Sequence, residues 1–466
     1  MRPGLSSWSA RLLAAMLAVT LAGGGLVACS TIATTTPGAP TQPGANATIA
    51  AAEDLARQAA QLTGKARDDN AAQIARLLAG LDDGTLAREA AALPAGDPLY
   101  NFAGRALLNR GLPLPRPFDR QGGFGAANRP PADRDGYRPP VKLAVLLPLS
   151  GELSRTAVPV RDGLLAAYYG EARPRPEVNF YDTAGTPAGA LAAYQRAVAE
   201  GADLVVGPLT RDEVGALFHS AVSVPVLALN RSGAQPPAGS ASFSLAPEDD
   251  GIEASEYLIA HGAKRVLVLS DDDDATRRTV AAFRTHLQDR GGSITSVLTV
   301  ADKPGDMSAA LQAAAQAPGG VDALFLALKP AQVRGVAPQL AATGLAGKPR
   351  VGTSQLAGSG DAKHALDGIA FPSDAWSVRG APGVPPNASV AKTLPSARGQ
   401  GSRLFAFGVD AWRLAAYLDY LAAHADAKLQ GATGTLRLDG FGNVVRTPEW
   451  STYSGTAVMP LGNGGR

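Results

Sequence analysis

The sequence predicts an α/β protein in which two lobes, each built on a parallel sheet, follow a short α-helical module. The first observation is the nearly continuous apolar run VKLAVLLPLS at 141–150, which is typical of a strand buried on both faces. The second is that similar runs alternate with helical stretches of about 10–15 residues, which indicates right-handed βαβ units. The third is the segment FSLAPEDDGIEASEYL at 243–258, which separates two such series and therefore predicts two lobes.

These patterns also place the individual elements. Strands are predicted at 141–150, 177–182, 202–210, 224–230, 264–272, 293–300, 321–328 and 349–354. Helices are predicted at 160–169, 187–200, 211–221, 275–290, 306–316 and 330–343. The segment 369–376 is predicted to cross back between the lobes, and an amphipathic helix is predicted at 403–424 after a Pro/Gly-rich loop at 377–402. Alternating apolar and polar residues around Asp439-Gly440 and Gly442-Asn443 predict a hairpin within 431–455.

Residues 1–28 have the pattern of a lipoprotein signal peptide. Arg2 and Arg11 supply positive charge, and the apolar run at 12–21 is too short to span a bilayer, which takes about 20 residues. The following Leu-Val-Ala-Cys at 26–29 resembles the bacterial lipobox, in which the chain is cut before the cysteine and the thiol carries diacylglycerol. Cys29 is the one cysteine in the sequence, and we predict it as the membrane anchor. The alternative is a chance cysteine in a plain secretory signal or an uncleaved anchor.

Three segments are predicted between this anchor and the main domain. Residues 29–46 are rich in Ser, Thr, Pro and Gly and predict a flexible tether. Residues 47–111 carry Leu and Ile at helical spacings, which predicts a short helical module. Residues 111–140 hold seven Pro and five Gly, so that 112–140 is predicted as a linker at a domain boundary. The two-lobed domain then covers 141–460.

Composition excludes several classes of protein. A single cysteine permits neither a disulfide framework nor a cysteine-ligated metal site. A net charge of +2 argues against a nucleic-acid-binding protein, which would usually show a basic face. A hydrophobic content of 45% is ample for a large packed core.

A candidate cleft is predicted at the carboxyl ends of the parallel strands, where small ligands bind in open α/β sheets. The candidates are Ser150, Gly151, Gly207, Thr210, Asn230 and Arg231 on the first lobe, and Ser270 and Ser354 on the second. Their hydroxyl, amide and glycine N–H groups suit a small uncharged or zwitterionic ligand. The alternative is that Gly and Ser simply terminate the strands.

The sequence offers no catalytic constellation, and we expect neither an enzyme nor a metal or other cofactor. Five histidines are scattered without metal-ligand spacing, and the G-x-S-x-G elbow of hydrolases is absent. The glycine-rich loops that hold nucleotide phosphates are absent too. The acidic run at 271–274 lacks the alternating ligands of a calcium loop and is interpreted as a solvated helix cap.

A series of segments resembles the LppC/LpoA family of outer-membrane lipoproteins over about 142–460. In chain order the segments are KLAVLLPLSG, AVPVRDGLLAAYYG, DLVVGPLTRDEV, VPVLALNR, FSLAPEDDGIEASEYL and FGVDAWRLA. The broader resemblance is to type I periplasmic solute-binding proteins, so the two-lobed domain is expected to have that fold. Within that superfamily Ser150, Thr210 and Asp410 match positions near the cleft or its supporting helix.

The resemblance implies a non-catalytic lipoprotein that binds and activates a bifunctional class A penicillin-binding protein, a peptidoglycan synthase. Ser30 after the anchor, in place of an Asp, indicates the outer membrane by analogy with such lipoproteins. The family's amino-terminal domain is a long helical-repeat array, whereas about 65 residues stand in its place here. The alternative is a lipid-anchored receptor that delivers an amino-acid-like ligand to an ABC transporter.

Overall fold

The amino-terminal part of the structure is a bundle of four helices. In the computed structural model the described residues are 45–120, 122–125, 129–345, 347–357 and 364–462. The helices are α1 (Ala45–Ala59), α2 (Gly64–Ala79), α3 (Asp83–Ala92) and α4 (Tyr100–Asn109). They share a core in which Ile74, Leu78 and Leu86 are fully buried, as the helical spacing of these apolar residues predicts.

The predicted signal peptide and Cys29 lie outside the described residues. Of the predicted tether at 29–46, only the last two residues are described, and they belong to α1. Among the described residues no helix is long and apolar enough to cross a membrane.

The described part of the Pro/Gly-rich segment 112–140 contains no helix or strand, but several of its side chains are packed against the rest of the protein. Phe118 is buried in the core of the helical bundle, and Phe124 is buried in the core of the first lobe. The Arg129 guanidinium pairs with Asp203 at 3.1 Å. The linker predicted from its composition is therefore a strap that joins the helical bundle to the α/β body.

The first lobe is built on a five-stranded parallel sheet with the order β2-β1-β3-β4-β5. Its strands are β1 (Lys142–Leu147), β2 (Glu177–Asp182), β3 (Leu204–Val206), β4 (Val226–Ala228) and β5 (Ala241–Ser242). Its helices are α5 (Ser154–Gly170), α6 (Pro187–Ala199) and α7 (Arg211–Phe218). The central strand β1 is buried on both faces, which explains why its apolar run is continuous. The edge strand β2 is mostly half-exposed.

The second lobe is built on a seven-stranded sheet with the order β15-β14-β10-β9-β8-β6-β7. Its strands are β6 (Arg265–Ser270), β7 (Ser293–Thr299), β8 (Ala323–Ala327), β9 (Arg350–Gly352), β10 (Ile369–Ser373), β14 (Glu449–Ser454) and β15 (Ala457–Pro460). Its helices are α8 (Pro247–Ala260), α9 (Asp274–Asp289), α10 (Ser308–Ala315) and α11 (Pro330–Ala341). The strands β6 to β10 are parallel, whereas β14 and β15 are antiparallel additions at one edge.

The chain crosses between the lobes three times. It leaves the first lobe between β5 and α8, returns after β10, and leaves again between β13 and β14. The returning part forms α12 (Ala375–Val378), α13 (Asn387–Thr393), α14 (Gln400–Ala423) and a small sheet of β11 (Leu429–Gln430), β12 (Thr435–Leu438) and β13 (Val444–Thr447). Two lobes on parallel sheets after a helical module confirm the predicted fold class.

The two lobes differ from the predicted elements mainly after residue 369. The predicted loop at 377–402 contains α13 and a short 3-10 helix, because Val390 and Ala397 pack into the first-lobe core. The predicted hairpin is β12–β13, with Asp439 as a turn residue that accepts from Asn443 N at 2.7 Å. From Glu449 onward, however, the chain joins the second-lobe sheet rather than continuing the hairpin.

Helices α5 and α14 are in backbone contact at two glycines. A Cβ on Gly163 would lie 1.9 Å from the Phe405 carbonyl oxygen, and one on Gly408 would lie 2.0 Å from the Val160 carbonyl oxygen. Only residues without a side chain permit this approach, so the two glycines fix how the long helix of the first lobe packs.

Candidate functional site

The predicted residues after β1 and β3 mostly stabilise the local backbone. Ser150 N donates to Asp182 Oδ1 at 3.2 Å, and Gly151 adopts a positive φ of 75° in the turn before α5. Gly207 is buried, and a Cβ there would lie 2.1 Å from the backbone oxygen of β1. Thr210 caps α7, since its Oγ1 accepts from Glu213 N while Glu213 Oε2 accepts from Thr210 N.

The predicted residues after β4, β6 and β9 also use their polar groups within the protein. Asn230 Nδ2 donates to the Leu209 carbonyl at 2.9 Å, and Ser270 Oγ donates to the Asp271 carbonyl at 2.7 Å. Ser354 donates its backbone N–H and its hydroxyl to Asp250. The sequence therefore places these groups at strand ends correctly, but a role in ligand binding stays a prediction for each of them.

Asp410, which the family resemblance places near the cleft, is fully buried in α14. Its carboxylate accepts from Ala432 N at 2.6 Å, from Thr433 N at 2.7 Å and from Thr433 Oγ1 at 2.7 Å. These three bonds fix the turn that leads into β12. Asp410 is thus a support beneath the lobe junction, and no ligand can reach its oxygens without displacing this turn.

The first turn of α8 joins the two lobes through a row of ion pairs. Its three consecutive acidic residues each face an arginine of the first lobe, and their carboxylates also suit the positive end of the helix. The pairs are Glu248 with Arg211 at 3.7 Å, Asp249 with Arg231 at 2.8 Å, and Asp250 with Arg403 at 3.6 Å. Arg231, predicted as a cleft residue, is therefore a link between the lobes.

Asp250 lies at the most buried end of this row. Besides Arg403 it faces Arg446 of β13 at 4.0 Å, and it accepts the two hydrogen bonds of Ser354. Asp250 and Arg446 are each about 5% exposed. Three elements, α14 and β13 of the first lobe and the segment after β9 of the second, therefore meet at this one carboxylate of α8, which makes Asp250 the centre of the junction.

A second buried carboxylate, Asp374, lies beside this centre at the crossover after β10. It is 6% exposed, and within the described residues its carboxylate makes no hydrogen bond or ion pair. Burial raises the pKa of Asp374 from its ordinary value of 3.8 to about 6. The charges of Arg403 and Arg446 oppose this rise, but burial has the larger effect.

We expect Asp374→Asn to stabilise the protein at neutral pH. Because the folded state binds the proton of Asp374 more tightly than the unfolded chain, this group favours folding below about pH 4, and that contribution is lost as pH rises through about 6. The amide cannot ionise, so the variant should gain up to about 3 kcal/mol over the native chain at pH 7.5, and the gain should vanish near pH 4.

Urea unfolding of both proteins between pH 4 and pH 8 measures this difference. The exposed carboxylate of Asp272, which has no ion pair within the described residues, supplies the control Asp272→Asn, which should change stability by less than about 0.5 kcal/mol. A variant Asp374→Asn that is less stable than the native chain at pH 7.5 would show that the ionised carboxylate has a favourable partner.

The comparison with protein families decides where this chain belongs. The family described as "LppC putative lipoprotein" matches residues 137–455, which is more than half of the chain. The chain belongs to the LppC family. Two of the segments that carry the sequence resemblance have a clear role in this LppC fold, because AVPVRDGLLAAYYG supplies Gly163 and FGVDAWRLA supplies Gly408 at the contact between α5 and α14.

Curated relatives and solved structures agree with this assignment. "Penicillin-binding protein activator LpoA" of Edwardsiella piscicida is 27% identical over 333 residues, which cover 62% of this chain and 46% of the relative. This LppC chain thus spans about half the length of the curated relatives that it matches. Full-length LpoA from Haemophilus influenzae has the same fold, with 20% identity, a TM-score of 0.60, and coverage of 89% of this chain and 78% of that one.

A further solved structure points to the wider superfamily. It is described as "a putative branched-chain amino acid ABC transporter" from Chromobacterium violaceum. It is 30% identical, with a TM-score of 0.55, and the match covers 67% of this LppC chain and all of the other. The predicted likeness to periplasmic solute-binding proteins therefore holds for the fold.

Sequence reasoning missed the buried centre of the junction. Asp250, Asp374, Arg403 and Arg446 come from segments far apart in the chain, so no local spacing connects them. One signal was available in the segment FSLAPEDDGIEASEYL, where three acidic residues follow a proline at the start of a helix. That pattern predicts a helix N-terminus, but it does not indicate the arginines that it meets.

Proposed function

We propose that this LppC chain is a non-catalytic activator of a class A penicillin-binding protein, the bifunctional kind that polymerises and cross-links peptidoglycan. The observation that carries the proposal is membership of the LppC family. The curated proteins that this chain resembles, such as the one from Edwardsiella piscicida, are named penicillin-binding protein activators. We further propose that a lipid on Cys29 holds the chain at the periplasmic face of the outer membrane.

The geometry of the lobe junction supports a protein-binding role. The ion pairs of α8 tie the lobes together, and most of the strand-end groups that a receptor would offer to a solute are engaged within the protein. Among the described residues, no group of three or more His, Cys, Asp or Glu side chains is placed to hold a metal ion. Such a body presents a fixed surface to a partner.

A protein with a fixed binding surface can activate a synthase because its binding is coupled to the synthase's equilibrium between a resting and an active conformation. A protein that binds the active conformation of a synthase more tightly than its resting conformation shifts the synthase toward activity, with no chemistry of its own. A tenfold difference in affinity between the two conformations, about 1.4 kcal/mol, shifts their ratio tenfold.

We propose the surface around Tyr169 as the contact for the synthase. Tyr169 is 71% exposed, the highest value among the exposed large hydrophobic side chains in the described part of the chain. Its ring lies nearly perpendicular to that of Tyr168, and Tyr168 in turn packs against Trp412. The Arg175 guanidinium lies over both tyrosine rings. The neighbouring Gly170 lies so near Gly383 that a Cβ on it would be 2.4 Å from the Gly383 carbonyl oxygen, so this surface continues into the 377–402 segment. Exposed tyrosines beside arginines are typical of interaction hot spots.

Binding and synthesis should be measured together. We expect residues 44–466, prepared without the lipid, to bind the class A penicillin-binding protein of the same organism with micromolar or tighter affinity and to raise its glycan polymerisation and cross-linking rates. Tyr169→Ala should weaken binding by about tenfold or more, because truncation of a hot-spot aromatic costs about 2 kcal/mol. Val297→Ala, at a half-exposed position on the second lobe, is the matched control.

Two results would contradict this proposal. Absence of both binding and rate change would remove the activator role, and the solute-receptor alternative, which the Chromobacterium violaceum structure favours by its description, would then be tested. Normal binding by Tyr169→Ala would keep the activator role and move the contact elsewhere on the surface.

A further inference from the structure

The segment from 375 to 409 contains no acidic residue, although Asp and Glu together make up 41 of the 466 residues of the chain. Its basic residues fall into two pairs. Arg379 and Arg403 each face a carboxylate elsewhere in the protein. Lys392 and Arg398 are exposed, and neither forms an ion pair within the described residues. Two positive charges of this segment are therefore free to attract a partner.

This acid-free segment lies along α5. Near the end of the helix, a Cβ on Gly170 would be 2.4 Å from the Gly383 carbonyl oxygen. About two turns earlier in the helix, Asp162 Oδ2 accepts a hydrogen bond of 2.6 Å from Ser396 Oγ. The two free cations of the segment flank Ser396 in the chain, so they lie beside the middle of α5.

One face of α5 adds a further free cation. Arg155, Asp162 and Tyr169 follow one another at intervals of seven residues, so they share a face of the helix. Arg155 is exposed and has no ion pair within the described residues, whereas Asp162 pairs with Arg161 at 2.8 Å. Glu152, in the turn before the helix, is exposed and offsets part of this charge. From Arg155 to Tyr169 the helix rises by about 21 Å.

The free cations and the Tyr169 ring thus lie on one surface. Arg175 is exposed too, and its guanidinium carbon lies 5.8 Å from the centre of the Tyr169 ring. The four cations form what we call the basic stripe, and none of them pairs with a carboxylate in the described part of the chain: Arg155, Arg175, Lys392 and Arg398. Since the whole chain has a net charge of +2, the stripe is a local concentration of charge and not a property of the entire surface.

We propose that the basic stripe steers an acidic surface of the class A penicillin-binding protein onto the contact at Tyr169. The inference rests on the proposed function and adds to it the charge of the partner's surface. A nearly neutral body gains little attraction from its net charge. An acidic surface aligned with the stripe, however, meets several positive charges at once, so the pair approaches in the orientation that brings the tyrosine to its contact.

Exposed cations of this kind act on the rate of association more than on affinity. An ion pair between exposed side chains adds little binding free energy, because water and salt screen it. The attraction before contact is summed over all the charges of the stripe, and such steering raises association by about tenfold or more. Tyr169 has the opposite role, because a ring that is buried only on contact mainly slows dissociation.

The test measures the two rate constants separately. The full chain, in a non-ionic detergent that supplies no anionic headgroups, is passed over the immobilised synthase of the same organism in a surface plasmon resonance experiment. Salt is varied from about 0.1 M to about 1 M, over which the Debye length falls from about 10 Å to about 3 Å. We expect association of the native chain to slow by about tenfold or more over this range, with little change in dissociation.

A double charge reversal assigns this effect to the stripe. Arg155→Glu combined with Lys392→Glu should associate about tenfold more slowly than the native chain at 0.1 M salt and equally fast at 1 M. Neither side chain makes a hydrogen bond or ion pair within the described residues, so the fold should be unaffected, and equal melting temperatures check this. Tyr169→Ala should instead speed dissociation and leave association nearly unchanged.

The matched control changes the net charge by the same amount on the second lobe. Lys264→Glu combined with Lys303→Glu alters two exposed side chains that have no ion pair within the described residues. Its association rate should stay within about twofold of the native value, because these charges lie away from the contact. A control as slow as the stripe variant would show that net charge, and not the stripe, governs association.

The remaining outcomes separate this inference from the proposed function. If the native chain does not bind the synthase at all, the activator role fails and the steering role fails with it. If the native chain and the stripe variant associate equally fast at 0.1 M salt, steering is wrong and the activator role stands. If light scattering shows a dimer of the native chain at 0.1 M salt that the stripe variant does not form, the stripe binds a second copy of this chain and the proposal is overturned.

Discussion

Gly163→Ala is expected to cost at least about 3 kcal/mol of folding free energy and to disrupt the core of the first lobe. Its Cβ would lie 1.9 Å from the Phe405 carbonyl oxygen, a backbone atom inside α14 that no side-chain rotation can move. Helices α5 and α14 would have to separate by more than 1 Å, and core overpacking of this kind costs about 1–3 kcal/mol or more. Urea unfolding, followed by circular dichroism, measures the loss.

Gly408→Ala should give a similar loss from the opposite side of the same contact. Its Cβ would lie 2.0 Å from the Val160 carbonyl oxygen. Because either substitution pushes the same two helices apart, the double variant should lose less than the sum of the single losses. Additive losses would show that the two glycines act at separate contacts.

Gly215→Ala in α7 is the matched control. Its Cβ would meet Ser232 Cβ at 3.7 Å, an ordinary contact, so alanine should be neutral or stabilise the helix by up to about 1 kcal/mol. If Gly163→Ala were as stable as Gly215→Ala, the close approach of α5 and α14 would not exist in solution.

The sequence predicted the α/β alternation well because each element carries its own local signal. The strand Glu177–Asp182 has the predicted bounds, and the helix predicted at 187–200 is Pro187–Ala199. The apolar runs overestimate strand length where a run continues into a buried turn. The run predicted at 202–210 contains a strand of three residues, Leu204–Val206, because Gly207 and Pro208 begin the turn before α7.

What the sequence could not supply is the pairing of elements that lie far apart in the chain. Alternation near the carboxyl end predicts strands, but it does not say that β12 and β13 extend the first lobe while β14 and β15 join the second. Likewise, the motifs around Gly163 and Gly408 predict two helices without predicting that their glycines meet. Long-range contacts of this kind depend on packing rather than on local pattern.

The residues of the candidate site also fall into those that the sequence predicted and those that it did not. The rule that ligands bind at carboxyl ends of parallel strands identified Ser354, which donates to Asp250 at the junction, and Arg231, which joins the lobes. It did not identify Asp374 or Arg403, because a lone Asp after a strand and a lone Arg in a helix are ordinary surface residues by sequence. Their burial follows only from the way in which the returning chain packs α14 against the junction.

The lobe junction also explains why a solute-binding fold could serve as a fixed binding surface. In a receptor the lobes must open to admit a solute, so contacts between them have to be weak. Here Asp249 and Asp250 each face an arginine of the first lobe, and Asp250 in addition holds the backbone after β9. Opening would separate several charges that are poorly reached by water, and the resistance to opening is concentrated at Asp250.

Asp250→Ala is therefore expected to destabilise the protein by about 3–5 kcal/mol, the usual cost of leaving buried charges without their partner. The substitution removes the carboxylate that faces Arg403 at 3.6 Å and Arg446 at 4.0 Å, and it leaves Ser354 N without its acceptor at 3.0 Å. Thermal and urea unfolding measure the loss, and small-angle X-ray scattering should show a larger radius of gyration if the lobes separate.

Two further variants separate the charge from the hydrogen bonds at this position. Asp250→Asn keeps an oxygen that can accept from Ser354 but loses the charge. Its free energy of unfolding should therefore lie between that of the native chain and that of Asp250→Ala. Asp272→Ala removes an exposed carboxylate and should change stability by less than about 0.5 kcal/mol. If Asp250→Ala were as mild as Asp272→Ala, water would reach the two arginines without cost. The lobes would then be free to open, and the receptor alternative would gain the physical property that the junction now denies it.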